Sequence, residues 1–141
     1  TDVHGVLGYE IFSRFVVEID YEGKTLTLSL PQRFRKTRRY QSIPMKIEDT
    51  KPYLRTTVQL NDSIRITGKF LIDSGASHGL YLDKDSNDSI QLPVNRIHSV
   101  IGRGLGGAIT GEIGRIKSIQ LGEFDINNLI ANFPDANSYY D

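Results

Sequence analysis

An all-β fold, a barrel or a sandwich, is predicted by three features of the 141-residue sequence. From Ile43 onward, apolar and polar residues alternate in short runs. Glycine and other turn formers punctuate those runs. Helical spacing occurs only briefly, near the start. With 38% hydrophobic residues, the chain has enough apolar material for one domain with a real core. Acidic and basic residues balance at 17 each, so no overall charge steers the protein toward nucleic acid or an anionic membrane. Cysteine is absent, which excludes a disulfide scaffold and thiolate metal sites. No apolar stretch approaches membrane-spanning length, and no signal peptide opens the chain. Thr1 is not an initiator methionine, so a processed product or an excised piece is expected.

The elements follow in order. In GVLGYEIFSRF, Tyr9, Ile11, Phe12 and Phe15 repeat at roughly helical spacing and predict one short helix. FVVEIDY and TLTLSL alternate on either side of YEGK, a β-hairpin in which Gly23 is expected to supply the backbone freedom of the turn. Residues 31–42, PQRFRKTRRYQS, break both periods and crowd Arg33, Arg35, Lys36, Arg38 and Arg39 together. A solvated linker is the reading preferred over an anion-binding patch. IPMKI, LRTTVQL and IRITGKFLID then read as strands, with Asn61-Asp62 turning between the last two. HGLYL reads as a further strand, DKDSND as a loop, and IHSVIG and EIGRIKSIQLG as strands around the glycine-rich GRGLGGAITG. The end, FDINNLIANFPDANSYYD, mixes apolar pairs with turn formers.

Several motifs invite chemistry and fail on their details. Asp83, Asp85 and Asn87 begin a calcium-loop pattern, but Asp88 stands where glycine is required and Val94 where a bidentate glutamate is required. Gly102, Gly104 and Gly107 match G-x-G-x-x-G, yet the residues that follow alternate like a strand, whereas a phosphate site needs a helix N-terminus there. His4, His78 and His98 have no paired spacing, so no metal site is predicted. Ser77 and His78 are neighbours, which on a strand point to opposite faces and cannot form a nucleophile–base pair.

FLIDSGAS, residues 70–77, stands apart. Its apolar run predicts a buried strand, and an aspartate at the end of one is costly unless it has a task. Leu71-Ile72-Asp73-Ser74-Gly75-Ala76-Ser77 resembles the active-site motif of retropepsin-like aspartic proteases. Val6-Leu7-Gly8, followed by YEIFSRF, resembles the family's apolar–apolar–Gly element before a short helix. The hairpin after it is similar to the closing strands of bacterial members, some of which carry tandem modules. In the family the apolar–apolar–Gly element follows the aspartate motif; here it precedes it.

The resemblance implies an acid-protease-like closed β-barrel with one or two short helices. Residues 1–30 would be the closing segment of a protease-like module, 31–42 a basic linker and 43–141 the module carrying the motif, together forming one compact domain. It implies an aspartic-type endopeptidase that needs no cofactor, with Asp73 as one catalytic carboxylate. Ser74, Gly75, Ala76 and Ser77 would support it: Gly75 through its N–H and a close backbone approach, the two serines through their hydroxyls. Gly104, Gly106 and Gly107 would form a flap. Only one D-S/T-G is present, so a second module or a second chain, as in a symmetric dimer, would be the partner beside a peptide or protein substrate. Neither nucleic acid nor membrane insertion is expected, and the resemblance favours an extracytoplasmic location, periplasmic or secreted. A rival reading keeps the fold and a peptide groove but lacks a competent dyad. A weaker one gives the arginine-rich segment an anionic partner.

Overall fold

The computed structural model describes residues 4–38, 40–104 and 107–136. Its elements are the helix α1 (Tyr9–Phe12) and strands β1 (Val16–Asp20), β2 (Thr25–Ser29), β3 (Lys46–Glu48), β4 (Lys51–Gln59), β5 (Arg65–Leu71), β6 (Arg96–Gly104), β7 (Gly107–Leu121) and β8 (Phe124–Pro134), with one 3-10 turn over Lys84–Ser86. The protein is mostly β-sheet with almost no helix. It divides into two compact units, Thr1–Ser42 with Ile47–Lys51, and Ile43–Lys46 with Pro52–Asp141.

In the first unit, α1 is a single turn begun by Gly8, with Ser13 N–H donating to Tyr9 O at 2.8 Å. β1 and β2 pair antiparallel from Val16↔Ser29 to Asp20↔Thr25. Their turn differs from the expected one. The left-handed residue is Lys24, φ 51°, not Gly23. Gly23 instead donates its N–H to Asp20 Oδ1 at 2.8 Å, so an aspartate side chain closes the turn. The basic segment 31–42 is largely exposed where described, and Tyr40 ties it to the hairpin by donating its hydroxyl to Glu18 Oε1 at 2.9 Å.

The six-stranded sheet is organised on β7. The strand order is β3-β4-β7-β6, with β5 also paired to β4 and β8 to β7. Among the described residues no pairing closes this sheet into a ring. β4 buries Leu54, Thr56 and Val58, every second residue, as one covered face requires. Asn61 Oδ1 accepts the N–H groups of Ser63 and Ile64, each at 2.9 Å, which makes the β4–β5 turn the sequence predicts. The core gathers Val58, Leu60, Ile66, Leu80, Leu82, Ile116, Ile119, Ala131 and Phe133. Burying each large side chain contributes about 1.5–3 kcal/mol.

Two segments depart from the sequence reading. HGLYL is not a regular strand: it makes one parallel bridge, Tyr81↔Asn132, flanked by Leu82 N–H to Asn132 O at 2.8 Å and Asn132 N–H to Leu80 O at 2.9 Å. The C-terminal stretch that reads as turn-rich is the eleven-residue β8. Its asparagines do not break it. Asn128 takes φ 56° opposite Lys117, where the β7–β8 register skips, so an asparagine kink lies inside the strand. The glycines of AITGEIGRI serve close packing. A Cβ on Gly111 would stand 2.2 Å from Phe133 O and 2.8 Å from Pro134 Cα, and one on Gly114 would meet Pro93 Cγ at 2.8 Å.

Candidate active site

β5 delivers the chain to Asp73. The strand turns Ile66, Gly68 and Phe70 toward the core, and Phe70 packs against the buried cluster. Period two then sends Leu71 outward. Leu71 is 49% and Ile72 38% exposed, and residues 73–77 are exposed throughout. The buried approach predicted from FLI is therefore not what forms. A strand covered on one face cannot bury three consecutive side chains.

After the last link to β4, Ile72 N–H to Pro52 O at 2.9 Å, the chain folds into a tight turn. Gly75 donates its N–H to Asp73 Oδ1 at 2.9 Å, and Ala76 donates to Asp73 O at 3.4 Å. A bond of this kind fixes the carboxyl group's orientation, and Asp73 as a whole stays exposed. The close backbone approach expected behind Gly75 is absent from this unit. A Cβ there would meet Asp73 Oδ1 at 3.3 Å and no other heavy atom outside its chain neighbours within 4 Å. Ser74, Ala76 and Ser77 are exposed.

His78 follows the turn and is half-buried. Its Nε2 is hydrogen-bonded to Ile101 O on β6, and its ring meets Tyr81 edge-on, 5.4 Å between centroids at 64°. The sequence raises His78 as a metal ligand and as a base for Ser77, and neither test reaches this contact. β6 and β7 form the glycine-rich hairpin, closed by the pair Gly104↔Gly107 with Gly107 at φ 138°. Gly106 lies outside the described residues. G-x-G-x-x-G thus sits on two strands and opens no helix.

Val6, Leu7 and Gly8 belong to the other compact unit, ahead of α1, with Val6 89% and Leu7 60% exposed. In DKDSND the side chains cap backbone: Asp83 Oδ1 accepts from Asp85 N–H at 2.9 Å, and Asn87 Oδ1 from Ser89 N–H at 2.8 Å.

A polar cluster that no local pattern reveals joins β6 and β7 to the residue just past the end of β8. His98 on β6 donates from Nε2 to Asp135 Oδ2 at 2.8 Å, and Thr110 on β7 donates its hydroxyl to the same oxygen at 2.8 Å. The bond to Asp135 raises the His98 pKa above its ordinary 6.5; in turn the bond from His98, then that from Thr110, lowers Asp135 below its ordinary 3.8. These residues lie 37 and 25 positions from Asp135, and only the antiparallel ladders bring them together.

Comparison with protein families matches the chain to the model described as aspartyl protease over residues 56–139. That span runs from within β4 past the end of β8 and contains Asp73, His78 and the β6–β7 hairpin. No curated protein and no solved structure matches.

Proposed function

The chain belongs to the aspartyl protease family, of the retropepsin-like kind, and on that premise we propose that it is an aspartic-type endopeptidase in which Asp73 supplies one member of a carboxylate dyad. The observation that carries the reading is the Asp73 turn itself: inside the matched span, one carboxylate oxygen is held by Gly75 N–H and the group stands exposed at the end of a packed strand. A carboxylate so presented can be met by a second one.

Two carboxylates held close cannot both ionise, so they share a proton and titrate as a pair. The ionised member takes a proton from a bound water as that water attacks the scissile carbonyl, and the protonated member polarises the carbonyl oxygen. The sequence holds one D-S/T-G, so the second aspartate comes from another protease-like module or from a second copy of the chain. That partner would also cover Leu71 and Ile72 and complete the closed acid-protease barrel. Ser74 and Ser77 then gain partners for their hydroxyls, and the hairpin closed by Gly104 and Gly107 serves as the flap over bound peptide. The exposed Val6-Leu7-Gly8 element would take its place beside an active-site loop in the same assembly. The family resemblance favours a bacterial, extracytoplasmic setting.

The test is cleavage of an unfolded protein by the full chain, followed from acidic to neutral pH over a range of protein concentrations. Asp73→Asn should abolish it, because the amide keeps the shape and cannot take the proton. Cleavage at a wild-type rate by that variant would remove Asp73 from the chemistry. The single D-S/T-G favours one alternative, a peptide-binding module without a dyad. Saturable peptide binding with no cleavage at any concentration would establish it.

A further inference from the structure

β6 carries an irregularity that the ladder does not resolve. Val100 pairs with Thr110 and Gly102 with Ile109, which leaves Ile101 without a cross-strand partner. A bulge of this kind strands a backbone group. Here the side chain of Ile101 is buried and its carbonyl lies in part-buried surroundings, where an unmatched acceptor is costly. His78 fills the vacancy, its Nε2 hydrogen-bonded to Ile101 O. A carbonyl only accepts, so the ring must carry its hydrogen on Nε2.

The ring is held from behind as well. Tyr81 packs on its edge, and a Cβ at position 102 would stand at ordinary contact distance from it, 3.5 Å from Cε1. The backbone after His78 is anchored in turn. A Cβ on Gly79 would lie 3.1 Å from Leu129 Cδ1 and 3.4 Å from Ile130 O, and Leu80 O accepts the N–H of Asn132 at 2.9 Å. One side chain, a single residue past Ser77, therefore spans from the Asp73 turn to β6, while β8 fixes the chain just beyond it. Ile101 and Gly104 are about 10 Å apart along the strand, so the tie acts close to the hairpin's glycines.

We propose that His78 is a positioning residue that sets β6 relative to the Asp73 turn, through a donated hydrogen bond to the bulge carbonyl of Ile101. It touches no reacting atom. Its consequence for peptide cleavage rests on the peptidase reading above; its consequence for the hairpin does not.

His78→Gln retains an N–H donor at a similar reach, and His78→Phe keeps a planar ring with none. In the full chain, amide hydrogen exchange at Gly102, Arg103 and Gly104 should accelerate severalfold to about tenfold in His78→Phe and return toward wild type in His78→Gln, while Val58 in β4 stays unchanged. Ring nitrogen shifts of wild-type His78 should report the Nε2–H tautomer. Where the wild type cleaves peptide, His78→Phe should raise KM severalfold with a smaller fall in kcat, and His78→Gln should restore both. Unchanged exchange in His78→Phe, equal acceleration in both variants, or an Nδ1–H tautomer would overturn the hydrogen-bond role. Changed exchange with unchanged KM and kcat would overturn the positioning of substrate. A wild type that cleaves nothing would count against the peptidase reading alone and leave the exchange result to decide the tie.

Discussion

Two glycines measure the difference between two regions of this protein. At Gly111, in the middle of β7, an added Cβ would stand 2.2 Å from a backbone oxygen of β8. At Gly75, in the Asp73 turn, it would meet one carboxylate oxygen at 3.3 Å and otherwise open space. Where β7 meets β8 the scaffold is packed to the point where a methyl group does not fit; the turn that carries Asp73 touches little. Packing stabilises the first region from within. The second is shaped by a local hydrogen bond and left uncovered by this unit.

The contrast can be broken most forcefully in the core. Phe133 is fully buried, and Phe133→Ala should destabilise by about 3–5 kcal/mol, read as the midpoint of denaturant unfolding. Next comes Gly111→Ala. Backbone on β8 must move to admit the methyl, at a cost of roughly 1–3 kcal/mol or more, and melting should fall by several degrees. A Gly111→Ala protein that melts with wild type would mean that β7 and β8 are not in such close contact.

A smaller effect is expected where His98 of β6 and Thr110 of β7 meet Asp135. His98 is raised, so its contribution is complete below its ordinary 6.5 and fades as pH rises through the folded value. Asp135 is lowered, so its contribution is complete above its ordinary 3.8 and fades as pH falls through the folded value. The pair therefore acts fully between about pH 3.8 and 6.5. Glu112, which faces His98 across the ladder, and Lys84, near Asp135, act in the same sense. Melting temperature followed against pH for wild type and His98→Gln should differ in that window and converge as pH rises past the folded value of His98. Curves that stay parallel would discount the pair. The smallest effect belongs to Gly75→Ala, within about 0.5 kcal/mol for the chain by itself. A loss there as large as at Gly111 would show that the turn is packed after all and would erase the contrast.

What the sequence made legible follows from how local each signal is. Alternation in LRTTVQL and the asparagine of the β4–β5 turn act over a few residues, and both elements form where predicted. The Asp73 motif is legible for a similar reason, since its meaning rests on its neighbours in sequence, but the burial expected around it does not form. β8 was hidden because Asn127, Asn128, Asn132 and Pro134 resemble turn chemistry, while its strand character comes from ten pairings with β7. The exposure of Leu71 and Ile72 was hidden for another reason. An apolar run predicts burial, but only the number of covered faces decides it, and that is a property of the sheet. Lys24 in place of Gly23, the His98–Asp135 bond and the contact of His78 with Ile101 depend on backbone placement that no residue announces alone.

The link between β4 and β7 consists of two residue pairs, Val58↔Ile119 and Gln59↔Ser118, reinforced by Lys117 N–H to Leu60 O at 3.1 Å and by the Thr56 hydroxyl on Gln120 O. On either side of that narrow seam lie hairpins closed by short turns, among them β7–β8 around Gly122 at φ 61°. Local hairpins form within microseconds, whereas joining strands some 60 residues apart must first meet the entropy of closing a long loop. The order of assembly follows: hairpins early, seam last. On the way back the buried cluster that spans the seam, Val58 and Ile66 with Ile116, Ile119 and Phe133, holds the two sides together, so exchange protection at Val58 and Ile119 should be lost in the same step as that of Phe133.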